Sequence, residues 1–421
     1  MDKIFSYKRF KIFFFIILLL IIFYRSPHIL LHGRFVAEEG SFWFRNSYLF
    51  GPLKGLFQVY WASSYFNLWP NVASVIASMV PLEYSPLVTV YFALSVKIYL
   101  FIYILYSKSS FLINNFDKAV VSLLILLTPP MVPEVWLNTL TSQVYFTILS
   151  VLIFFQSDGK KNLFYKISPI ILCISGMCSV LVCALSPFFL IKFLKEKSKN
   201  NFYNLIFIST TTIFQSIIFL YSKFQNLDLA GDYSRFILSL DKIVNFTYNV
   251  IVKTFFGREL TQFLYFNFLK NINIYIISLI IIISILYILI LTIKKNYKDK
   301  ILIYLFLFFI TLSFISLVGS KSDQVQGRYA VVPGFILLLM TYRLCQIYSN
   351  ALKKFFFSLI LISLITGSYE FKTNNKYSKF LICYKSKGCP DWKLEVDKWM
   401  ENKSYMLKIW TYPEDKMSLD K

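Results

Sequence analysis

Ile274–Ile293 reads IYIISLIIIISILYILILTI, twenty residues without a charge or a proline. At 1.5 Å per residue such a helix covers about 30 Å, the thickness of a bilayer's hydrocarbon core. A second run, Ile12–Tyr24, reads IFFFIILLLIIFY. The whole 421-residue chain follows suit, with 57% hydrophobic and 16% charged residues and a mean hydropathy of +0.59. Soluble domains carry about 45–50% apolar and 25% charged residues. Repeated apolar runs in such a chain mean an all-α polytopic membrane protein and exclude a soluble enzyme, a disordered tail and a coiled coil. No small-residue cleavage site follows Tyr24, so the first run reads as a span and not as a removable signal.

The net charge of +22 would suggest nucleic acid in a soluble chain. Here lysines flank apolar runs, where they orient spans and call for no nucleic-acid partner. Lys3, Lys8, Arg9 and Lys11 place the N-terminus in the cytoplasm. Spans are then expected at roughly 11–26, 84–106, 119–133, 143–156, 166–179, 181–194, 202–222, 273–293, 301–318, 329–347 and 354–368. The short pair around Ile167–Leu194 leaves a re-entrant hairpin open. About eleven spans, an odd number, put the C-terminal tail outside. The expected organisation is a multi-span domain over 1–368, with a long first outer loop at 25–83, and an outer tail at 369–421.

Walker, GxGxxG, HExxH and GxSxG motifs are absent. His28 and His32 stand four apart, but two imidazoles do not fill a zinc site, and interfacial packing explains them. Cys173, Cys178, Cys183 and Cys345 fall in or beside apolar runs and read as small buried hydrophobes. Cys383 and Cys389 lie in the tail, in an oxidising compartment, and are expected to close a small disulfide loop.

The chemistry-bearing feature is Ala37-Glu38-Glu39-Gly40, just after the first span, with Phe42, Trp43, Phe44 and Tyr48 behind it. A solvated acidic turn is the plain alternative. Carboxylates are scarce in this chain, however, and one near a lipid interface is costly unless it works. A partly desolvated carboxylate is also a credible base for a hydroxyl. Glu39 carries slightly more weight of the two, because it borders Gly40, where backbone can approach a ligand. Arg328 at the outer end of a span is either a snorkelling anchor or a fork for phosphate. Trp136 and Asn138, in a short outer turn, are candidates for stacking on and bonding to a sugar.

These residues resemble a known family. Polytopic glycosyltransferases of the GT-C type carry an acidic pair in the first outer loop. Phe35-Val-Ala-Glu38-Glu39-Gly40, followed by Tyr60, Tyr65 and Pro70, is similar to the F-x-E-D-G box and Y-x-x-x-Y-x-x-x-x-P segment of bacterial O-antigen-modifying proteins. The second acid is Glu in place of Asp, and the spacing around Phe35 differs by one. Gly327-Arg328-Tyr329 with Pro333 looks like their G-R-Y-x-x-x-P box, and Trp392 through Ile409-Trp410 and Pro413 like their outer tail. Serotype-converting glucosyltransferases of bacteria and their phages are the nearest functional group. The resemblance implies a bacterial inner-membrane enzyme with a GT-C-like fold and both the first loop and the tail in the periplasm. It further implies inverting transfer of a sugar, glucose by the nearest group, from a polyprenyl-phosphate donor to an O-antigen or other lipid-linked or polymerised glycan. Glu38 or Glu39 would be the base; Arg328, Tyr329 and Tyr65 would bind substrate. No cofactor is required by this scheme, although relatives that use a divalent cation exist. An O-antigen polymerase, a lipid-linked oligosaccharide flippase and a non-catalytic membrane component are the rival expectations.

Overall fold

The computed structural model describes residues 7–127, 135–157, 162–225, 227, 239–264, 274–320, 328–373, 391–410 and 415–420. The described residues are mainly helical, as expected where backbone groups inside a bilayer must find their partners within the same segment. Helices lie over each apolar run: α1 (Tyr7–Arg25), α2 (Pro27–His32), α3 (Leu68–Ala77), α4 (Ser85–Tyr106), α5 (Asn115–Leu127), α6 (Ser142–Phe154), α7 (Leu163–Cys178), α8 (Ser186–Glu196), α9 (Lys199–Phe224), α10 (Lys253–Leu264), α11 (Ile274–Lys295), α12 (Lys300–Gly319), α13 (Arg328–Ile347) and α14 (Asn350–Thr373). Six segments among the described residues are long and apolar enough to cross a membrane: α4, α9, α11, α12, α13 and α14. The chain is therefore an all-α protein with the character of a membrane protein.

Local chemistry sets the helix ends. Pro86 and Pro187 occupy first turns, where the missing N–H costs nothing. Ser198 and Asp299 cap α9 and α12 by accepting from Asn201 N and Leu302 N. Helix α13 is the central post, with 83% of its apolar window buried between α12, α14 and α6. Only 19% of the α11 window is buried. Ile276, Leu279, Ile280 and Ile283 of α11 face outward, as residues in contact with acyl chains would.

The pair at Ile167–Leu194 resolves into a full return. Helices α7 and α9 run parallel: Ser168 bonds Asn204 at one end, and Gln215 Nε2 donates to Gly176 O at the other, 3.2 Å. The chain breaks at Ser179, passes through a turn of helix at Val180–Cys183, and comes back down α8. Lys192 of α8 then donates to Phe154 O, at the far end of α6.

A second, smaller core lies at one end of the bundle. Phe35, Phe44, Ala77 and Leu82 of the first loop pack with Trp392, Val396 and Trp399 of α15 (Trp392–Glu401) and with Leu407, Ile409, Met417 and Leu419. In the first loop Val59–Tyr60 (β1) pairs antiparallel with Tyr65–Phe66 (β2); in the tail Leu407–Lys408 (β3) pairs with Lys416–Met417 (β4). Backbone bonds join the two segments: Ala37 N to Trp410 O, 2.6 Å, and Trp410 N to Phe35 O, 3.2 Å. Loop and tail thus sit on one side of the molecule, and the tail is a clamp on the loop, not a separate unit. Helix α14 carries the apolar run on to Thr373, past the expected boundary at 368. Cys383 and Cys389 lie outside the described residues; Cys173, Cys178, Cys183 and Cys345 are free thiols.

Candidate active site

The acidic pair is aimed by a sequence of local constraints. Helix α2 stops at Gly33, whose φ is +71° and whose Cβ, if it had one, would stand 2.6 Å from Leu87 N. Only glycine fits so close an approach with that backbone. Four residues later Ala37 also takes a positive φ, +46°, a strained setting for a residue with a Cβ. Its amide is tied to Trp410, and its carbonyl receives Gly40 N and Ser41 N. From Glu39 to Phe44 the chain follows a wide π-helical turn, a form that recurs at functional sites.

The turn separates the two carboxylates. Glu39 is fully buried. One oxygen accepts from the Thr139 amide at 3.0 Å and from the Thr139 hydroxyl. Oε2 has no hydrogen-bond partner among the described residues. Burial pushes the carboxyl up to about 7, against the opposing pull of Thr139 and Arg34. Arg34 is itself buried and pushed down to about 9, with Glu39 holding it up. Glu38 is half-buried and bears instead on the Tyr65 phenol, as do Arg328 and Tyr329. That phenol is pushed up to about 12 by burial, with Arg328 pulling it down. The Arg328 guanidinium lies 5.4 Å from the Tyr329 ring centre, and both side chains are half-buried. Glu38, Tyr65, Arg328 and Tyr329 therefore share one neighbourhood.

Trp136 and Asn138 sit deeper. The Trp136 indole donates to Ser26 Oγ at 2.7 Å, and its carbonyl accepts from Arg34 at 3.1 Å. Lys97 Nζ lies 3.4 Å and the Arg25 guanidinium 4.2 Å from its ring, and Phe371 packs edge-on at 5.8 Å. Asn138 Oδ1 accepts from Leu140 N and so closes its own turn. In this arrangement both serve the wall behind Glu39 and offer no open ring to a sugar. Gly40 is likewise filled: a Cβ there would meet Phe35 at 3.0 Å and Ile409 at 3.1 Å. Its smallness admits the tail, where the sequence reading put a ligand. The His28 and His32 rings meet at a tilt, with centres 4.4 Å apart.

Sequence reasoning missed Thr139, Arg34 and Arg25. Lys97, alone in an apolar helix, was the one available signal for the cationic wall, since a charge there is costly without a role. Nothing in the pattern around Thr139 marks it as the partner of an acid 100 residues away.

The site thus offers a half-open carboxylate beside an arginine and a tyrosine, backed by a protonatable carboxyl in a cationic wall. Comparison with family models, with curated proteins and with solved structures returns no match, so the chemistry of these side chains carries the functional reading alone.

Proposed function

We propose that this chain is a membrane glycosyltransferase that moves a sugar from a polyprenyl-phosphate donor to a cell-surface glycan. The observation that carries the reading is the division of labour within the acidic pair. Glu38 is reachable and stands with Tyr65 and Arg328, whereas Glu39 is enclosed by Thr139 and Arg34. The acceptor hydroxyl attacks the anomeric carbon, Glu38 takes its proton, and the bond from that carbon to the phosphate oxygen breaks. Arg328 supplies paired N–H groups to the departing lipid phosphate. Glu39 is a positioning residue: it anchors the π-helical turn on Thr139 and so fixes where Glu38 points. Attack opposite the leaving phosphate inverts the anomeric centre. An acidic early loop held beside a late Arg-Tyr pair favours this reading over a polymerase.

Mass analysis of the O-polysaccharide from cells with and without the chain tests it. A hexose-sized increment per repeat, lost in Glu38→Gln, is the expected result. A change confined to polysaccharide length would instead identify a polymerase.

A further inference from the structure

The two-stranded ribbon of the first loop has two faces in different company. Tyr60 and Tyr65 stand directly opposite each other in the β1–β2 register, as do Val59 and Phe66. Directly opposed residues project from one face of a ribbon, and the next pair projects from the other. The Val59–Phe66 face is turned to α9. There the Phe66 ring meets Phe214 at 5.5 Å, and Gln215 accepts from Phe66 N and donates to Phe66 O. The Tyr60–Tyr65 face is turned to the π-helical turn that carries the acids. Tyr60 meets the Phe42 ring at 4.9 Å and the Trp43 ring at 5.0 Å, while Tyr65 shares the neighbourhood of Glu38 and Arg328.

Turn and ribbon thus run side by side in two steps, Glu38 beside Tyr65 and then Phe42 beside Tyr60. Residues four apart on a helical turn lie on one face, about 5–6 Å between Cβ atoms, so the aromatic step stands one sugar ring's breadth from the acid. Trp43 is 1% exposed and serves the core, whereas Phe42 and Tyr60 are only half-buried. Aromatic rings at a membrane surface ordinarily form a belt towards lipid. These two face the other way: the outward apolar residues of this region, Ile217 and Leu220, belong to α9, which covers the opposite face of the ribbon. A pyranose complements such a step, with a face of C–H groups for the electron-rich ring and a rim of hydroxyls for the polar side chains beside it. We infer that Phe42 and Tyr60 form the acceptor subsite, an assignment that rests on the transferase reading: a hexopyranose of the acceptor glycan lays its C–H face on these rings while a rim hydroxyl is held to Glu38. Acceptor and donor then approach the acid from two sides, the sugar over the aromatic step and the lipid phosphate at Arg328. Sugar stacking moves from Trp136, whose ring is enclosed, to rings beside the acid.

Saturation-transfer NMR with methyl glucoside, methyl galactoside and methyl mannoside tests the subsite without turnover, on the purified full-length chain in a sugar-free detergent. At least one of the three should bind, with saturation concentrated on the C–H protons of one ring face. Phe42→Leu and Tyr60→Leu should each weaken that binding by about tenfold. Phe42→Trp, which keeps a ring, should retain it and so separates loss of stacking from loss of fold; Glu38→Gln, which still accepts a hydrogen bond, should retain it too. Saturation of none of the three sugars overturns the subsite, as does unchanged binding in both leucine variants. The subsite and the transferase fail separately. Binding as expected in a chain that adds no hexose to the O-polysaccharide leaves a saccharide site and removes the transferase. Hexose addition that needs Glu38 but is unchanged in both leucine variants removes the subsite and leaves the transferase.

Discussion

At the scale of single residues, two neighbouring glutamates answer to different surroundings, and their variants should part accordingly. Glu38→Gln is expected to lower sugar transfer by about 10²–10⁴-fold at normal membrane levels, the usual loss for a missing general base. Glu39→Gln keeps an acceptor for Thr139 and should retain far more activity; equal loss in both would return the base to Glu39. Glu39 also predicts a pH dependence of stability. Its carboxyl lies at about 7 in the folded chain, against 4.5 for the exposed group. Stability from this group is complete below pH 4.5 and is lost as pH rises towards 7, because only the unfolded chain ionises freely in that window. The difference is about 3 kcal/mol. Thermal unfolding of the purified chain between pH 4.5 and 8 should show that decline, and Glu39→Gln should flatten it. The acidic pair itself was visible in the sequence, as two carboxylates beside an apolar run. Their orientations were not: they depend on the positive φ of Ala37 and on a threonine a hundred positions downstream.

At the scale of elements, one close helix contact is set by the absence of a side chain. Gly176 of α7 faces Thr211 of α9, and a Cβ there would overlap the threonine hydroxyl. Small residues at crossings are how helices approach in lipid, where no hydrophobic gain remains to drive them together. Gly176→Val should cost about 1–3 kcal/mol in thermal stability, whereas Gly319→Ala, with no atom of the described residues within 4 Å, should be neutral. Failure of Gly176→Val to lower the melting temperature would mean that the α7–α9 contact is loose. Helix positions were largely readable from apolar run lengths, and every expected run carries a helix. Their direction was harder where runs are short. The return along α8 depends on the break at Ser179 and on Lys192 capping α6, contacts that hydropathy does not encode.

At the scale of the molecule, charge and packing mark two different ends. Lysine-rich turns gather at the Lys192 end, while the acidic loop and the tail are bonded to each other at the other end. Cysteines placed at the exposed positions Lys54 and Lys403 should both react with an impermeant thiol reagent added outside intact cells, and one at Lys298 should react only after permeabilisation. A reversed pattern would overturn the topology. The sequence indicated that loop and tail share a side; it did not indicate that they share a core, because Phe35, Trp392 and Ile409 look like ordinary apolar residues until they meet.

That shared core has a consequence for the order of synthesis. Arg45 Nε donates to Ser418 O at 2.8 Å across 373 positions of chain. At roughly 5–20 residues per second, the first loop emerges about 20–75 s before the segment that holds it in place. During that interval the nascent chain has its acids and gains the Thr139 contact to Glu39, but lacks the tail backbone that ties down Ala37. A chain cut before Trp392 would keep the helical bundle but lose the backbone ties from Trp410 that hold Phe35 and Ala37.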